Sequence, residues 1–365
     1  MDPLTHSLTG VALAHAGLRR MTPLATATLV LGANAPDVDI VSQLWDPWTA
    51  LAWRRGVTHG IPALLLLPLL VTAGVLAWDR WVRRSRDSLA PPARPRAILA
   101  LAALGVWTHS PLDWINNYGM RWFLPFDGRW SYGDAVFILD PWIWMLLGGS
   151  AYLLRNRTRI AGWGWGILAF GLSTLVLLAP PVPTFARLFW GVGLISILWI
   201  DRRLSERSAW LGSATIARVA LGATGVYILA MIAQDSPQRR AVEQAARAAG
   251  WTPESVMVAP VPANPLAGQV VALGGTEYRT GTFHWLRQPR VQFDSLTVPR
   301  LDPEDPAIAR ALEDRSVRRY LVWSRFPIAR FDGTDTERYV RFLDVRYLGR
   351  EGDALAGPSL HLPEP

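Results

Sequence analysis

Three short triplets place a histidine between small or hydroxylated neighbours: Thr5-His6-Ser7, Thr58-His59-Gly60 and Thr108-His109-Ser110. Neutral imidazole is a common metal ligand, so three such sites suggest a shared ion. Carboxylates accompany them. Ala35-Pro36-Asp37-Val38-Asp39 supplies two, and Asp113 lies four residues after His109. Residues four apart share a helix face, so His109 and Asp113 could bind one ion, or Asp113 could orient His109 from behind. Pro36 disfavours a regular helix just before it. In an extended or bent segment, residues two apart point the same way, which would turn Asp37 and Asp39 together toward the histidines. The candidate ligands are therefore His6, Asp37, Asp39, His59, His109 and Asp113. Asp39 and Asp113 are also the candidates for catalytic work. The chemistry would be metal binding, and six ligands are enough for two ions. The chain has no cysteine, which excludes a thiolate site and a disulfide frame. His and carboxylate ligands suit zinc first, or a harder divalent cation.

Position must come from helices in a membrane. Half of the 365 residues are hydrophobic, and the long apolar runs end near residue 233. A spanning helix needs about 20 apolar residues. Spans are expected near 22–42, 57–79, 97–115, 136–154, 161–180, 185–200 and 214–233, after a shorter apolar helix at 3–18. Ala14-His15-Ala16 mimics a signal cleavage site, but no basic region precedes it, so the helix is expected to stay. The fold class is thus a polytopic α-helical membrane domain of about seven to eight helices, residues 1–233, followed by a small soluble mixed α/β domain, residues 234–365.

The net charge is +8, and the basic residues are all arginines that cluster between apolar runs. That pattern fits cytoplasmic loops better than nucleic-acid binding. Four groups would lie inside: Arg19 and Arg20; Arg80 to Arg96; Arg155, Arg157 and Arg159; Arg202, Arg203 and Arg207. The N-terminus, all three triplets and the C-terminal domain then fall at the outer face. Within 234–365, helices are expected at Pro237–Ala249 and Pro306–Tyr320, and strands at Gln269–Ala272, Tyr278–Leu286, Val291–Val298 and Tyr339–Tyr347. The Pro-rich end from Gly357 is expected to fray.

Weaker substrate-binding candidates are Arg54, Arg55, Asn117, Asp134 and Asp140. The arginine pair precedes His59 and could grip a phosphate. Its blander reading is snorkelling to headgroups. Asp140 precedes Pro141, where capping a helix is the simpler role. His15, His284 and His361 read as structural or exposed. Trp45, Trp48, Trp53, Trp122, Trp130 and Trp142 sit near span ends, as interfacial anchors do.

Met1-Asp2-Pro3-Leu4-Thr5-His6, the Ala35–Asp39 element, Gly56-Val57-Thr58-His59 and Thr108-His109-Ser110-Pro111-Leu112-Asp113 resemble the YdjM-like family. The segment from Asn116-Asn117-Tyr118-Gly119 to Asp140-Pro141-Trp142 is similar to its longer members. The resemblance covers mainly residues 1–155. It implies an inner-membrane, metal-dependent hydrolase, under LexA control in some members, and leaves the substrate open. The expected enzyme acts at the outer face of the cytoplasmic membrane on a phosphoester, lipid or other envelope substrate. Its partners would be membrane lipids and no nucleic acid; the sequence is silent on oligomeric state. Two alternatives stand beside it. A transporter would place its site near the bilayer midplane, between repeats that this chain does not show. A non-catalytic envelope scaffold would hold the metal in closed ligation.

Overall fold

A computed structural model of the chain describes residues 1–206, 212–333, 338–348 and 357–362. Arg207, one of the arginines used for topology, lies outside them. The chain divides into two compact units. The first is Met1–Val38, Val57–Gln234 and Pro260–Pro265; the second is Asp39–Gly56, Asp235–Ala259 and Leu266–Pro365.

The first unit is helical. Asp2 opens α1 (Pro3–His15) by accepting the Thr5 amide at 3.0 Å, and Pro3 fits the first turn. Helix α2 (Ala25–Asn34) gives way to a 3-10 segment, Ala35–Leu44, around Pro36. After α3 (Pro47–Trp53), which belongs to the second unit, come α4 (Ile61–Trp78), its π-helical continuation Asp79–Arg83, and α5 (Pro95–Trp114). Pro141–Ile143, a π-helical turn Trp144–Gly148 and Gly149–Leu153 run on as one segment, α6. Then follow α7 (Arg159–Leu178), α8 (Thr184–Glu206) and α9 (Ser213–Ala248).

Among the described residues, four stretches are long and apolar enough to cross a membrane: Ile61–Arg86, Arg159–Leu178, Thr184–Leu204 and Ala214–Ala248. The expected seven or eight are not reproduced. Helices α1 and α2 have 13 and 10 residues. At 1.5 Å per residue they reach about 20 and 15 Å, short of a hydrocarbon core about 30 Å thick. Helix α5 has 20 residues, but Thr108, His109, Ser110 and Asp113 make its last turns polar.

Helix α2 packs on both α1 and α5, and α5 also on α4. The contacts are backbone to backbone. A Cβ on Gly105 would lie 2.7 Å from the Leu29 carbonyl oxygen, and one on Gly32 2.8 Å from the Ala102 carbonyl oxygen. Small residues permit such approach between membrane helices, where packing rather than hydrophobic expulsion drives association.

The second unit carries two sheets. Four strands, β1 (Ser255–Val261), β2 (Asn264–Gly274), β3 (Glu277–His284) and β4 (Val291–Pro299), lie in chain order. Helices α10 (Pro306–Ala311) and α11 (Arg315–Trp323) follow, then the sheet of β5 (Pro327–Gly333), β6 (Arg338–Asp344) and β7 (Ser359–Leu362). The expected single helix at 306–320 is thus two, each with its own aspartate cap, Asp305 and Asp314. Residues 359–362, expected to fray, pair antiparallel with β6, Val340 opposite Leu360. Met257, Val271, Tyr278, Phe326, Ile328, Leu343 and Val345 form one core cluster.

An ion pair is buried beside that core. Arg346 donates from Nε to Asp344 Oδ1 and from Nη2 to Oδ2, both at 2.9 Å. Asp344 Oδ2 also accepts from Ser324 Oγ and from the amides of Arg325 and Phe326. The guanidinium lies 4.8 Å over the Trp323 ring. Burial pushes the Asp344 carboxyl up, but Arg346 and these donors outweigh it and hold it near 2, below its ordinary 3.8. The folded value is the lower one, so the stability it confers is present above about pH 4 and is lost as pH falls toward 2, about 2 kcal/mol in all. Thermal unfolding of the β-rich unit in the purified full chain, followed by limited proteolysis, is expected to shift down over that window. Arg346→Leu leaves the carboxylate buried without its counter-ion. It should destabilise the unit by about 3–5 kcal/mol at neutral pH.

Candidate metal centre

The first unit brings Asp37, His59, His109 and Asp113 together. One donor atom from each lies within 4.8 Å of all the others, and the four could hold a metal ion. His109 Nε2 is 3.2 Å from His59 Nε2 and 3.6 Å from Asp113 Oδ2. His59 Nε2 is 3.3 Å from Asp113 Oδ2 and 3.7 Å from Asp37 Oδ1. Ligands about 2.0–2.1 Å from a tetrahedral ion stand about 3.3–3.4 Å apart. The spacings of 3.2–3.7 Å are close to that, and the widest pair, up to 4.8 Å, would have to close around a small divalent cation.

Proton positions support the fit. His109 Nδ1 lies 2.6 Å from the Ala33 carbonyl oxygen, which can only accept. Nδ1 therefore carries a hydrogen, and Nε2 is turned toward His59. His59 Nδ1 is 3.0 Å from Thr58 Oγ1, which also leaves Nε2 to the cluster. Two imidazole nitrogens and two carboxylate oxygens thus crowd one buried point. A cation relieves that crowding.

Each donor has a local cause. His109 and Asp113 share the inner face of the last turns of α5, both fully buried. His59 stands just before α4. Ser110 Oγ donates to its carbonyl at 2.9 Å, and the Ile61 amide binds the Trp122 carbonyl at 2.8 Å, so the turn is tied to α5 and to the loop beyond it. Asp37 lies in the 3-10 segment after α2. Its side chain is 14% exposed, whereas His59 and Asp113 are at 0–1%, so Asp37 marks the side open to solvent.

His6 is adjacent and outside the four. Its Nε2 is 3.1 Å from Asp113 Oδ1, and its ring stacks on His109 at 3.8 Å. Its Nδ1 is buried and has no hydrogen-bond partner among the described residues. The Met1 amino group also meets Asp113 Oδ1. Trp144 Nε1 donates to Thr5 Oγ1 and to Asp2 at the start of the helix that carries His6.

Asp39 does not join. The expectation of an extended 37–39 segment is corrected: Ala35–Leu44 is 3-10. Three residues per turn put neighbours two apart on different sides. The Asp39 carboxylate accepts from Arg54 Nη1 at 2.9 Å and from the Arg55 amide at 2.8 Å. Those bonds also account for Arg54 and for the Arg55 backbone. Asp140 caps α6, accepting from the Trp142 and Ile143 amides, and takes the Tyr227 hydroxyl at 2.8 Å. Asn117 and Asp134 are buried in the loop after α5, Asp134 with φ of +48°. None of these five is among the four donors. The supporting carbonyls of Ala33 and Trp122 had no signal in residue type. Ser110 did have one, since it completes the third triplet.

Residues 1–182 match the model of the YdjM inner membrane protein family. A Bacillus subtilis (strain 168) protein described as uncharacterized protein YfhP is 27% identical over 216 residues, 56% of this chain and 58% of that protein. The match thus spans less than two thirds of that relative. No solved structure matches. All four donors fall inside the matched region. The helical part of the chain that carries them, residues 1–182, belongs to the YdjM inner membrane protein family.

Proposed function

We propose that the chain is a membrane-bound, metal-dependent hydrolase whose ion, zinc by preference, would be held by His59, His109 and Asp113, with Asp37 beside it on the solvent side. The observation that carries this reading is the convergence of two imidazoles and two carboxylates within 4.8 Å. A bound divalent cation supplies Lewis acidity for bond cleavage. The chain's own groups do the rest. His109 is locked by the Ala33 carbonyl and His59 by Thr58. His6, donating from Nε2, positions Asp113 so that Oδ2 faces the cluster. Asp37, the longest-spaced donor on the solvent side, accepts the proton of an attacking water. Asp39, bonded to Arg54, is not placed in that role. These groups account for one ion. The substrate class is a phosphoester or a lipid at the membrane surface, and the arginine pattern favours the outer face.

A structural metal is the second reading, favoured by the near-complete burial of His59, His109 and Asp113. Four protein ligands can close a tetrahedral zinc.

Purified protein should carry about one ion per chain, the load of a single site. His59→Ala and His109→Ala should each abolish it; unchanged metal in both variants sinks the site. His6→Gln should weaken metal affinity by only about 10–100-fold, as loss of an orienting partner does. Gly105→Val, whose added atoms meet the backbone of Leu29 and Ala33, should part α2 from α5 and strip the metal without touching a donor. Asp37→Asn distinguishes the two readings. Retained metal with lost chelator-sensitive phosphodiesterase activity supports catalysis. A wild type with bound zinc and no such activity on soluble or lipid phosphoesters leaves the structural role. Reporter fusions in the 80–96 loop and at the C-terminus should report opposite sides of the membrane, and agreement between them would overturn the outer-face placement.

A further inference from the structure

Outside the metal centre, a cavity of about 180 Å³ lies among α6, α7 and α8. Trp144, Gly148, Tyr152, Ala169, Leu194 and Leu198 are in its wall, and the other lining residues are equally free of charge. Leu198 is 52% exposed, so the cavity reaches the outer surface of the helices. That surface is itself apolar: Ile167, Phe170, Ile195 and Trp199 are all exposed there. An apolar void of this kind excludes water and accepts hydrocarbon.

One wall residue joins the cavity to charge. The Tyr152 ring lines the void, and its hydroxyl lies 3.4 Å from Asp201 Oδ2. Arg155 sits 3.6 Å over the same ring and bonds both Asp201 oxygens, at 3.2 and 2.9 Å. Arg157 adds a third bond, 2.8 Å to Oδ1, with half of its side chain exposed. In sequence, five arginines, 155, 157, 159, 202 and 203, outnumber the two acidic residues at this end of the helices, Asp201 and Glu206. Each guanidinium has five donors, so an arginine bound to Asp201 through one nitrogen can still present others to a phosphate.

We propose that this is a binding site for one anionic phospholipid, an acyl chain in the cavity and the headgroup phosphate on the arginine cluster. The void supplies the hydrocarbon contact and the excess of arginine supplies the charge preference, and the two meet at Tyr152. The site does not depend on the hydrolase reading, since none of its residues is a metal donor. A zwitterionic lipid, or the helix of a second copy, would fill the void without needing the arginines.

Full-length protein in detergent is given equal amounts of phosphatidylglycerol and phosphatidylcholine, and retained lipid is read by native mass spectrometry. Phosphatidylglycerol should be retained in preference. Arg157→Gln should reduce that preference about fivefold, the effect of one arginine near an anionic surface. Ala169→Phe should fill the cavity and reduce retention of both lipids. Leu198→Trp, at a half-exposed position that tolerates size, should do the same, and helical circular dichroism with an unchanged elution profile reports that the fold of the variants is intact. Equal retention of the two lipids overturns the proposal. So does a preference that survives Arg157→Gln, or retention unchanged in both cavity variants.

Discussion

Four electron-rich atoms held within 4.8 Å in a buried space repel one another, and the rest of the first unit exists under that constraint. Burying such groups without compensation is costly, and in a membrane more so. The arrangement persists because its surroundings leave little freedom. Gly32 and Gly105 bring α2 onto α5 at backbone contact, which sets the Ala33 carbonyl against His109. Ser110 ties the His59 backbone to the same helix. The ligand rings are thus fixed by main-chain groups of their neighbours rather than by long side chains. Such preorganisation spares the ordering cost when an ion arrives.

Much of the centre was legible because histidine and aspartate are rare in apolar helices. The three triplets and the i, i+4 pair of His109 and Asp113 stood out on type and spacing. Membership of the set was less legible. Asp37 and Asp39 are equivalent by composition, and only the local backbone separates them. A 3-10 turn rotates Asp39 away, to Arg54 and the Arg55 amide. His6 and His109 occupy similar triplets, yet one ring faces the cluster and the other stacks behind it. Triplet chemistry does not encode depth along a helix.

The fold was legible where apolar runs are long. Helices α4, α7, α8 and the first part of α9 fall where uninterrupted hydrophobic stretches put them. Helix α1 is the short apolar helix expected at 3–18, whereas the span expected at 22–42 was misjudged, because apolar composition continues across Pro36 while α2 stops. The helix expected from Pro237 is the tail of α9, which keeps Pro237 inside it. In the β-rich unit β2, β3, β4 and β6 were visible by pattern. Strands β1, β5 and β7 were not. In β1 four consecutive buried residues hide the alternation, and β7 is only four residues long, set between Pro358 and Pro363.

Trp144 belongs to two neighbourhoods at once. Its ring forms part of the apolar wall between α6 and α7, and its indole N–H reaches Asp2 and Thr5 at the cap of α1. A single side chain therefore touches both the void and the first turn of the helix that carries His6. If the indole settles differently in the filled and empty states, the two sites share one free energy. Reciprocity then follows: whatever factor an occupant imposes on ion affinity, the ion imposes on the occupant. The bilayer's composition would in that way become a term in the metal equilibrium.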